Sequence, residues 1–258
     1  MSFCECFTGK SEIMDRAAGQ ARLVNFRLLY LITQLIGAFL LLLVISWVLI
    51  HLNGLGYNYD KPKIIFNWHP ICMSFGMIFL YGNSILIYRG FRYARKRSLK
   101  VTHATIHALA FVFTVFGLIA VFDSHNYAVP KIPNLYSLHS WIGITAVVVF
   151  SCQYVFGFFC YLFPKVKETF RIFYMPIHVF FGLLGFILAL IATFMGLTEK
   201  AMFTMKNYQD MPSEALLVNS IGLMTALFGS MVIYLVTEQS YKREALPEDA
   251  MLLTGAQE

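Results

Sequence analysis

Six stretches of this chain are long and apolar enough to cross a bilayer, and no other feature limits the fold as severely. A membrane-spanning helix takes about 20 mostly apolar residues, and residues 28–52, 64–88, 104–122, 138–163, 172–197 and 215–237 all reach about that length. A soluble domain is excluded by the same material, since the chain is 58% hydrophobic and 13% charged, with a mean hydropathy of +0.65. The expected fold is an all-α integral membrane protein with six transmembrane helices in one bundle. The first apolar run follows a polar arm and is too long for a signal-peptide core, so it is expected to remain as the first helix. The organisation expected is an arm over residues 1–27, a six-helix domain over 28–237 and a tail over 238–258. An even number of crossings leaves both termini on one side.

Lys and Arg set that side, because short cytosolic loops hold an excess of them. Fifteen of the 20 fall in the amino-terminal arm, the Arg89 to Lys100 loop, the Pro164 to Arg171 loop and the tail, whereas Lys61, Lys63, Lys131, Lys200 and Lys206 fall on the other side. Both termini are therefore expected in the cytosol. The net charge of +6 follows from this topology, and no basic run with interleaved aromatics argues for nucleic acid as a partner.

The 5 cysteines form no CxxC or CxxCH, which excludes covalent c-type haem attachment and zinc-finger spacing. Cys72, Cys152 and Cys160 lie in apolar runs as small packing residues, while Cys4 and Cys6 lie in the arm, where a disordered segment is the plain expectation and lipidation the alternative. Pro62, Pro164 and Pro212 mark helix ends, and Ser213 is expected to cap the last helix. No N-x-S/T sequon occurs. The aromatic content of 16% is read as packing and interfacial anchoring, with Trp47, Trp68 and Trp141 among the anchors.

Ionisable groups inside apolar spans are costly and usually functional, so the 7 histidines carry the chemistry. His51 ends the first span and His125 is placed in an outer loop. At a rise of 1.5 Å per residue, His69 to Arg89 covers about 30 Å, His103 to Asp123 about 30 Å, His139 to Pro164 about 37 Å and His178 to Glu199 about 31 Å. Each histidine is thus about one hydrocarbon thickness, near 30 Å, from the far boundary of its own helix. Because the helices alternate in direction, His69 and His139 fall at the outer level and His103 and His178 at the cytosolic level. Two level pairs of neutral imidazoles, with no carboxylate or thiolate beside them, suit axial ligation of a planar haem, whereas zinc wants a third and fourth ligand. Two haem b groups per chain are expected in the four central helices. His107 lies one turn beyond His103, and depth by itself slightly favours His107 as the ligand. HATIH lacks the glutamate of a metalloprotease HExxH.

The stretches FNWHP (Phe66 to Pro70), KVTHATIH (Lys100 to His107), AVFDSHN (Ala120 to Asn126), NLYSLHSW (Asn134 to Trp141), MPIHVFFG (Met175 to Gly182) and MGLTEK (Met195 to Lys200) resemble the cytochrome b561 family of ascorbate-dependent transmembrane reductases. The resemblance covers roughly residues 28 to 240. It implies a homodimeric oxidoreductase that takes electrons from cytosolic ascorbate and delivers them to monodehydroascorbate or ferric iron on the far side. It assigns His69 with His139 to the outer haem and His103 with His178 to the inner one, and so prefers His103 to His107, which becomes a neighbour or substitute ligand. Lys96, Lys100 and Arg171 match the family's ascorbate site, and His125, Asn126 and Tyr136 its outer acceptor site. Arg89 matches an arginine expected beside the inner haem.

The cationic site makes physical sense, because ascorbate is a monoanion at neutral pH and these residues precede the amino-terminal ends of the third and fifth helices, where helix dipoles favour anions. The plain alternative is that they only set topology. His125 can take or give a proton near neutral pH; a solvated loop histidine is its plain alternative. Two other functions fit the same histidines, a transition-metal transporter and a quinol-oxidising cytochrome b subunit. A transporter would add acidic residues within the spans, yet Asp123 and Glu199 lie only at boundaries. Glu248, Asp249, Leu252 and Leu253 form an acidic dileucine pattern that points to an endosomal, lysosomal or secretory-vesicle membrane, with the plasma membrane as the alternative.

Overall fold

A computed structural model describes residues 3–243, with side chains from residue 24 onward. The elements in chain order are α1 (Phe3–Ile50), α2 (Pro62–Phe66), α3 (Trp68–Met73), a π-helical stretch (Ser74–Leu80), α4 (Tyr81–Gly90), α5 (Lys96–Asn126), α6 (Leu138–Tyr161), α7 (Glu168–Thr204) and α8 (Ser213–Thr237). Elements α2 to α4 run on as one span, so the described residues hold 6 helices long and apolar enough to cross a membrane. This is the all-α integral membrane bundle expected from the hydropathy.

The surface confirms the solvent for which the fold is built. Along α1, Leu28, Leu31, Leu35, Phe39, Leu42, Ile45 and Leu49 are exposed, while Phe26, Leu40, Val44, Trp47 and Val48 are buried against the other helices. A stripe of large exposed apolar side chains along a helix belongs against lipid tails, because there exposed apolar surface is free of penalty. Buried threonines inside the spans satisfy themselves by back-bonding one turn: Thr33 to the Leu29 carbonyl at 2.7 Å, Thr114 to Ala110 at 2.8 Å and Thr225 to Ile221 at 2.8 Å.

Helix α6 packs along α7, α1 along α8, and α5 against the whole second span. The second span, α5, α6 and α7 therefore form the four-helix centre. At its middle Tyr81 is 1% exposed and donates its hydroxyl to the Gly182 carbonyl at 2.7 Å, tying the second span to α7.

Four expectations need correction. The second span is not one continuous α-helix. Pro70 cannot bond to Phe66, the residue four back, and its ring crowds that carbonyl, so α2 stops there and α3 starts at Trp68. The buried Asn67 at the break donates to the carbonyls of Leu52 at 2.6 Å and Gly54 at 2.7 Å. It thereby fastens a loop in which Asn53 and Gly54 take left-handed backbone angles, φ 64 and 80. Ser213 does not cap α8; it is the first helical residue, Pro212 occupies the cap and no side chain bonds there. Ser137 does cap α6, accepting from the Ser140 amide at 3.3 Å.

The last two corrections concern helix ends near the site. Helix α5 begins at Lys96 and ends at Asn126, so Lys96 and Lys100 are in its first turns and do not precede it, and His125 is in its last turn and not in a loop. Likewise Arg171 lies in the first turn of α7. Hydropathy ended these helices too early because their terminal turns are polar.

Helix α1 continues without a break from residue 3 through the expected arm. Cys4 and Cys6 precede the residues whose side chains are described, and the dileucine pattern lies outside the described residues. Beyond α8, Tyr241 packs on Phe26 with ring centres 5.1 Å apart, and Arg92 donates to the Lys242 carbonyl at 2.7 Å. The start of the tail is thus docked on the bundle.

Candidate functional site

The two ends of the bundle are called here the basic face, which carries the 91–95 and 162–167 connections, and the opposite face. Each end brings two of the expected histidines together. His69 of α3 and His139 of α6 meet near the opposite face with ring centres 6.1 Å apart and ring planes at 90°. His103 of α5 and His178 of α7 meet near the basic face at 6.4 Å and 71°. A metal–nitrogen bond of about 2.0 Å and about 1.1 Å from nitrogen to ring centre put two imidazoles on opposite sides of one metal about 6.2 Å apart. Both pairs fit that requirement. By contrast His103 and His107 stand 4.5 Å apart, in direct edge contact.

The second ring nitrogens support the same fit. His69 Nδ1 faces the Gly117 carbonyl at 3.1 Å, His139 Nδ1 the Ala192 carbonyl at 2.8 Å and His103 Nδ1 the Ser84 carbonyl at 2.8 Å. When Nδ1–H donates to a carbonyl, the proton is held there and Nε2 is left with its lone pair for a metal. Ser84 also donates its hydroxyl to the His103 carbonyl at 2.9 Å. Among the described residues His178 Nδ1 and His107 Nδ1 are buried without a hydrogen-bond partner. No group of three or more His, Cys, Asp or Glu side chains converges among the described residues, so neither pair has the further ligands a structural zinc site takes.

Glycines make room for two of the rings. A Cβ on Gly196 would stand 2.7 Å from His139 Cε1, and one on Gly157 would stand 2.8 Å from His178 Cε1. Thus α6 offers His139 and Gly157, α7 offers His178 and Gly196, and each histidine rests on the other helix's glycine. On each helix the glycine follows the histidine by 18 residues, five turns, which puts both on one face. The spacing is visible in the sequence, but it has meaning only once α6 and α7 are antiparallel neighbours.

At the opposite face a cavity of about 1400 Å³ opens beside His69 and His139 and reaches His125, Asn134, Tyr136, Glu199 and Lys200. His125 Nδ1 is 3.2 Å from Asn134 Oδ1, and Asn134 donates to Asn126 Oδ1 at 2.9 Å. Asn134 therefore joins His125 to Asn126, a role the sequence did not reveal. Burial first, and then the Glu199 carboxylate beside it, push the Tyr136 hydroxyl up. Glu199 also accepts from Ser137 at 3.0 Å, and Lys200 lies 4.3 Å above the Phe66 ring. At the rim Tyr57 donates to Asp123 at 2.7 Å, and this bond is the main reason its hydroxyl is pushed up to about 12.

The basic-face site is narrower and richer in rings. Tyr161 and Tyr174 lie 5.5 and 6.0 Å from His178, and Tyr88 lies 5.6 Å from His103. His107 is packed against Tyr81 at 5.1 Å and Phe150 at 5.4 Å. Lys100 Nζ is 6.0 Å above the Tyr161 ring, and the charges of Lys96, Arg171 and Lys165 act on it. Tyr161 donates its hydroxyl to the Arg171 carbonyl at 3.2 Å. Lys100 and Arg171 are thus gathered around one tyrosine. Arg89, which the resemblance sets beside the inner haem, donates to the carbonyls of Val236 at 2.6 Å and Glu238 at 2.9 Å. It ties off the carboxyl end of α8, where a cation is favourable.

The sequence pattern of the family described as eukaryotic cytochrome b561 matches residues 68–204. A protein of Xenopus tropicalis named plasma membrane ascorbate-dependent reductase CYBRD1 is 42% identical over 221 residues, which cover 84% of this chain and 77% of that protein. The Mus musculus protein named lysosomal membrane ascorbate-dependent ferrireductase CYB561A3 is 43% identical over 194 residues, 73% of this chain and 79% of its own length. Its Homo sapiens namesake is 39% identical over 234 residues, 88% of this chain and 94% of its own.

Proposed function

The chain belongs to the eukaryotic cytochrome b561 family, and from that premise we propose that it is a transmembrane oxidoreductase moving single electrons from cytosolic ascorbate, through two haem b groups, to monodehydroascorbate or a ferric chelate. The observation that carries this proposal is the pair of imidazole pairs at 6.1 and 6.4 Å, one near each end of the bundle. Haem b, held at both sites by these histidine pairs, would supply one-electron exchange.

In this proposal His69 with His139, and His103 with His178, are the axial ligands, and His107 is a packing neighbour of His103. Gly117, Ala192 and Ser84 hold three of the four Nδ1 protons on their carbonyls, which fixes the tautomer that leaves Nε2 basic. The exposed leucine face of α1 and its counterparts keep the centre out of water.

Lys96, Lys100 and Arg171 receive the ascorbate monoanion. They form a cationic mouth at the first turns of α5 and α7, where backbone amides add to the attraction. At the far end His125, Asn134 and Asn126 form a hydrogen-bonded chain and Tyr136 stands with Glu199 on the cavity wall. A histidine and a carboxylate together can carry the proton that must accompany reduction of monodehydroascorbate to ascorbate.

The excess of Lys and Arg in the arm, the 91–95 and 162–167 connections and the tail supports cytosolic termini. The relatives' names support a plasma or lysosomal membrane. The mode of assembly proposed is a homodimer. The deciding test is single-turnover electron transfer in vesicles: external ascorbate should reduce both haems and then an enclosed ferric chelate. Haem that dithionite reduces and ascorbate does not would overturn the proposal.

A further inference from the structure

Helices α6 and α7 grip their histidines by a local two-fold relation that is complete at one end and unfinished at the other. At the opposite face, His139 sets Cε1 against Gly196 and donates Nδ1–H to the carbonyl of Ala192, one turn earlier on α7. At the basic face, His178 sets Cε1 against Gly157, and the residue one turn earlier on α6 is Gln153. Among the described residues His178 Nδ1 and Gln153 Oε1 are both buried without a hydrogen-bond partner. One is a donor and the other an acceptor. Buried polar atoms left unpaired are rare, and a complementary pair in equivalent positions points to each other.

Tyr174 is a neighbour of both groups. The Gln153 side chain lies against its hydroxyl, and its ring lies 6.0 Å from His178. We propose that Gln153 is the positioning residue for His178, its Oε1 accepting the Nδ1–H of His178 while its Nε2 donates to Tyr174. Turning the glutamine side chain toward His178 would pair both of the buried atoms left without a partner. The inference rests on His178 being an axial ligand. It makes the α6 and α7 histidines differ in kind: His139 is held by a backbone carbonyl, His178 by a side chain.

An acceptor on Nδ1–H makes Nε2 more basic and favours the oxidised metal. Removing it should therefore raise the reduction potential of the basic-face haem, and a carboxylate in its place should lower it. The test is redox titration with electron paramagnetic resonance on the holoprotein carrying Gln153→Leu or Gln153→Glu. Expected is a shift of about tenfold in the reduction equilibrium, about 59 mV for one electron, upward for Leu and downward for Glu. The opposite-face haem should keep both its potential and its g-values. Should the Leu variant fail to fold, the Glu variant decides. Unchanged basic-face potentials and g-values, or equal shifts at both haems, overturn the inference while leaving the functional proposal standing. Native protein without two bis-imidazole spectra overturns both.

Discussion

The two histidine pairs have nearly the same spacing and very different surroundings. The opposite-face pair opens on a cavity of about 1400 Å³ with acids and bases on its wall, among them His125, Glu199 and Lys200. The basic-face pair is enclosed by Tyr88, Tyr161, Tyr174 and His107, and its approach holds Lys96, Lys100, Lys165 and Arg171. One end thus offers an anion a mouth where four cations gather. The other offers groups that can exchange protons. The spacing of the two imidazole pairs is repeated, and in the proposed function direction comes from what surrounds each pair.

Removing a ligand at one end and then at the other gives the largest expected effects. His139→Leu should halve the haem content from two per chain to one and leave the remaining haem reducible by ascorbate, since the lesion lies beyond the point where electrons enter. His103→Ala should remove the basic-face haem and with it most ascorbate reduction, whereas His107→Ala should keep the normal basic-face spectrum. Haem assays and reduced-minus-oxidised spectra check all three. A reversal between His103 and His107 would move the ligand assignment by one turn.

The glycine contacts sharpen the comparison further. Gly196→Ala puts a methyl 2.7 Å from His139 Cε1, and Gly157→Ala puts one 2.8 Å from His178 Cε1, so each should disturb only the haem of its own end. Gly182→Ala on the same α7 meets nothing within 4 Å and serves as the control. Overpacking of this kind costs about 1–3 kcal/mol, and spectra of each haem during thermal titration would detect it. Cross-effects at the distant haem would show that the ends are not independent.

Lys100→Ala tests the cationic mouth. It should weaken ascorbate reduction about tenfold, in KM more than in kcat, as expected for loss of an anion contact worth about 1.4 kcal/mol. Haem content and dithionite reduction should not change. Unchanged ascorbate kinetics would leave Lys100 with topology as its only role.

The smallest effect lies at the rim of the opposite face. The Tyr57 hydroxyl is raised above its usual value to about 12 by donating to Asp123. A group whose folded value is raised adds stability that is whole below its unfolded value, about 10 for tyrosine, and is lost as pH rises through about 12. In ultraviolet titration, Asp123→Asn should make one tyrosine ionise earlier. The change in stability should be slight, because the bond is exposed to solvent.

Hydropathy and helix rise were sufficient for the six spans and for the levels of His69, His103, His139 and His178, because both are properties of one helix at a time. Helix termini were less legible. Lys96, Lys100, Arg171 and His125 are polar, so a hydropathy count ended α5 and α7 before the backbone does. The break at Asn67 was legible in principle, since Pro70 cannot bond four residues back.

What the chain decided by itself is what a single helix can carry: length, the lipid-facing stripe, and the depth of each imidazole. Which helices become neighbours is decided by packing between segments far apart in sequence. That packing brings Gly196 beneath His139 and Asn134 between His125 and Asn126, and it sends Arg89 to the end of α8. Short-range periodicity cannot report such contacts, because each joins residues whose separation along the chain has no bearing on their distance in the bundle.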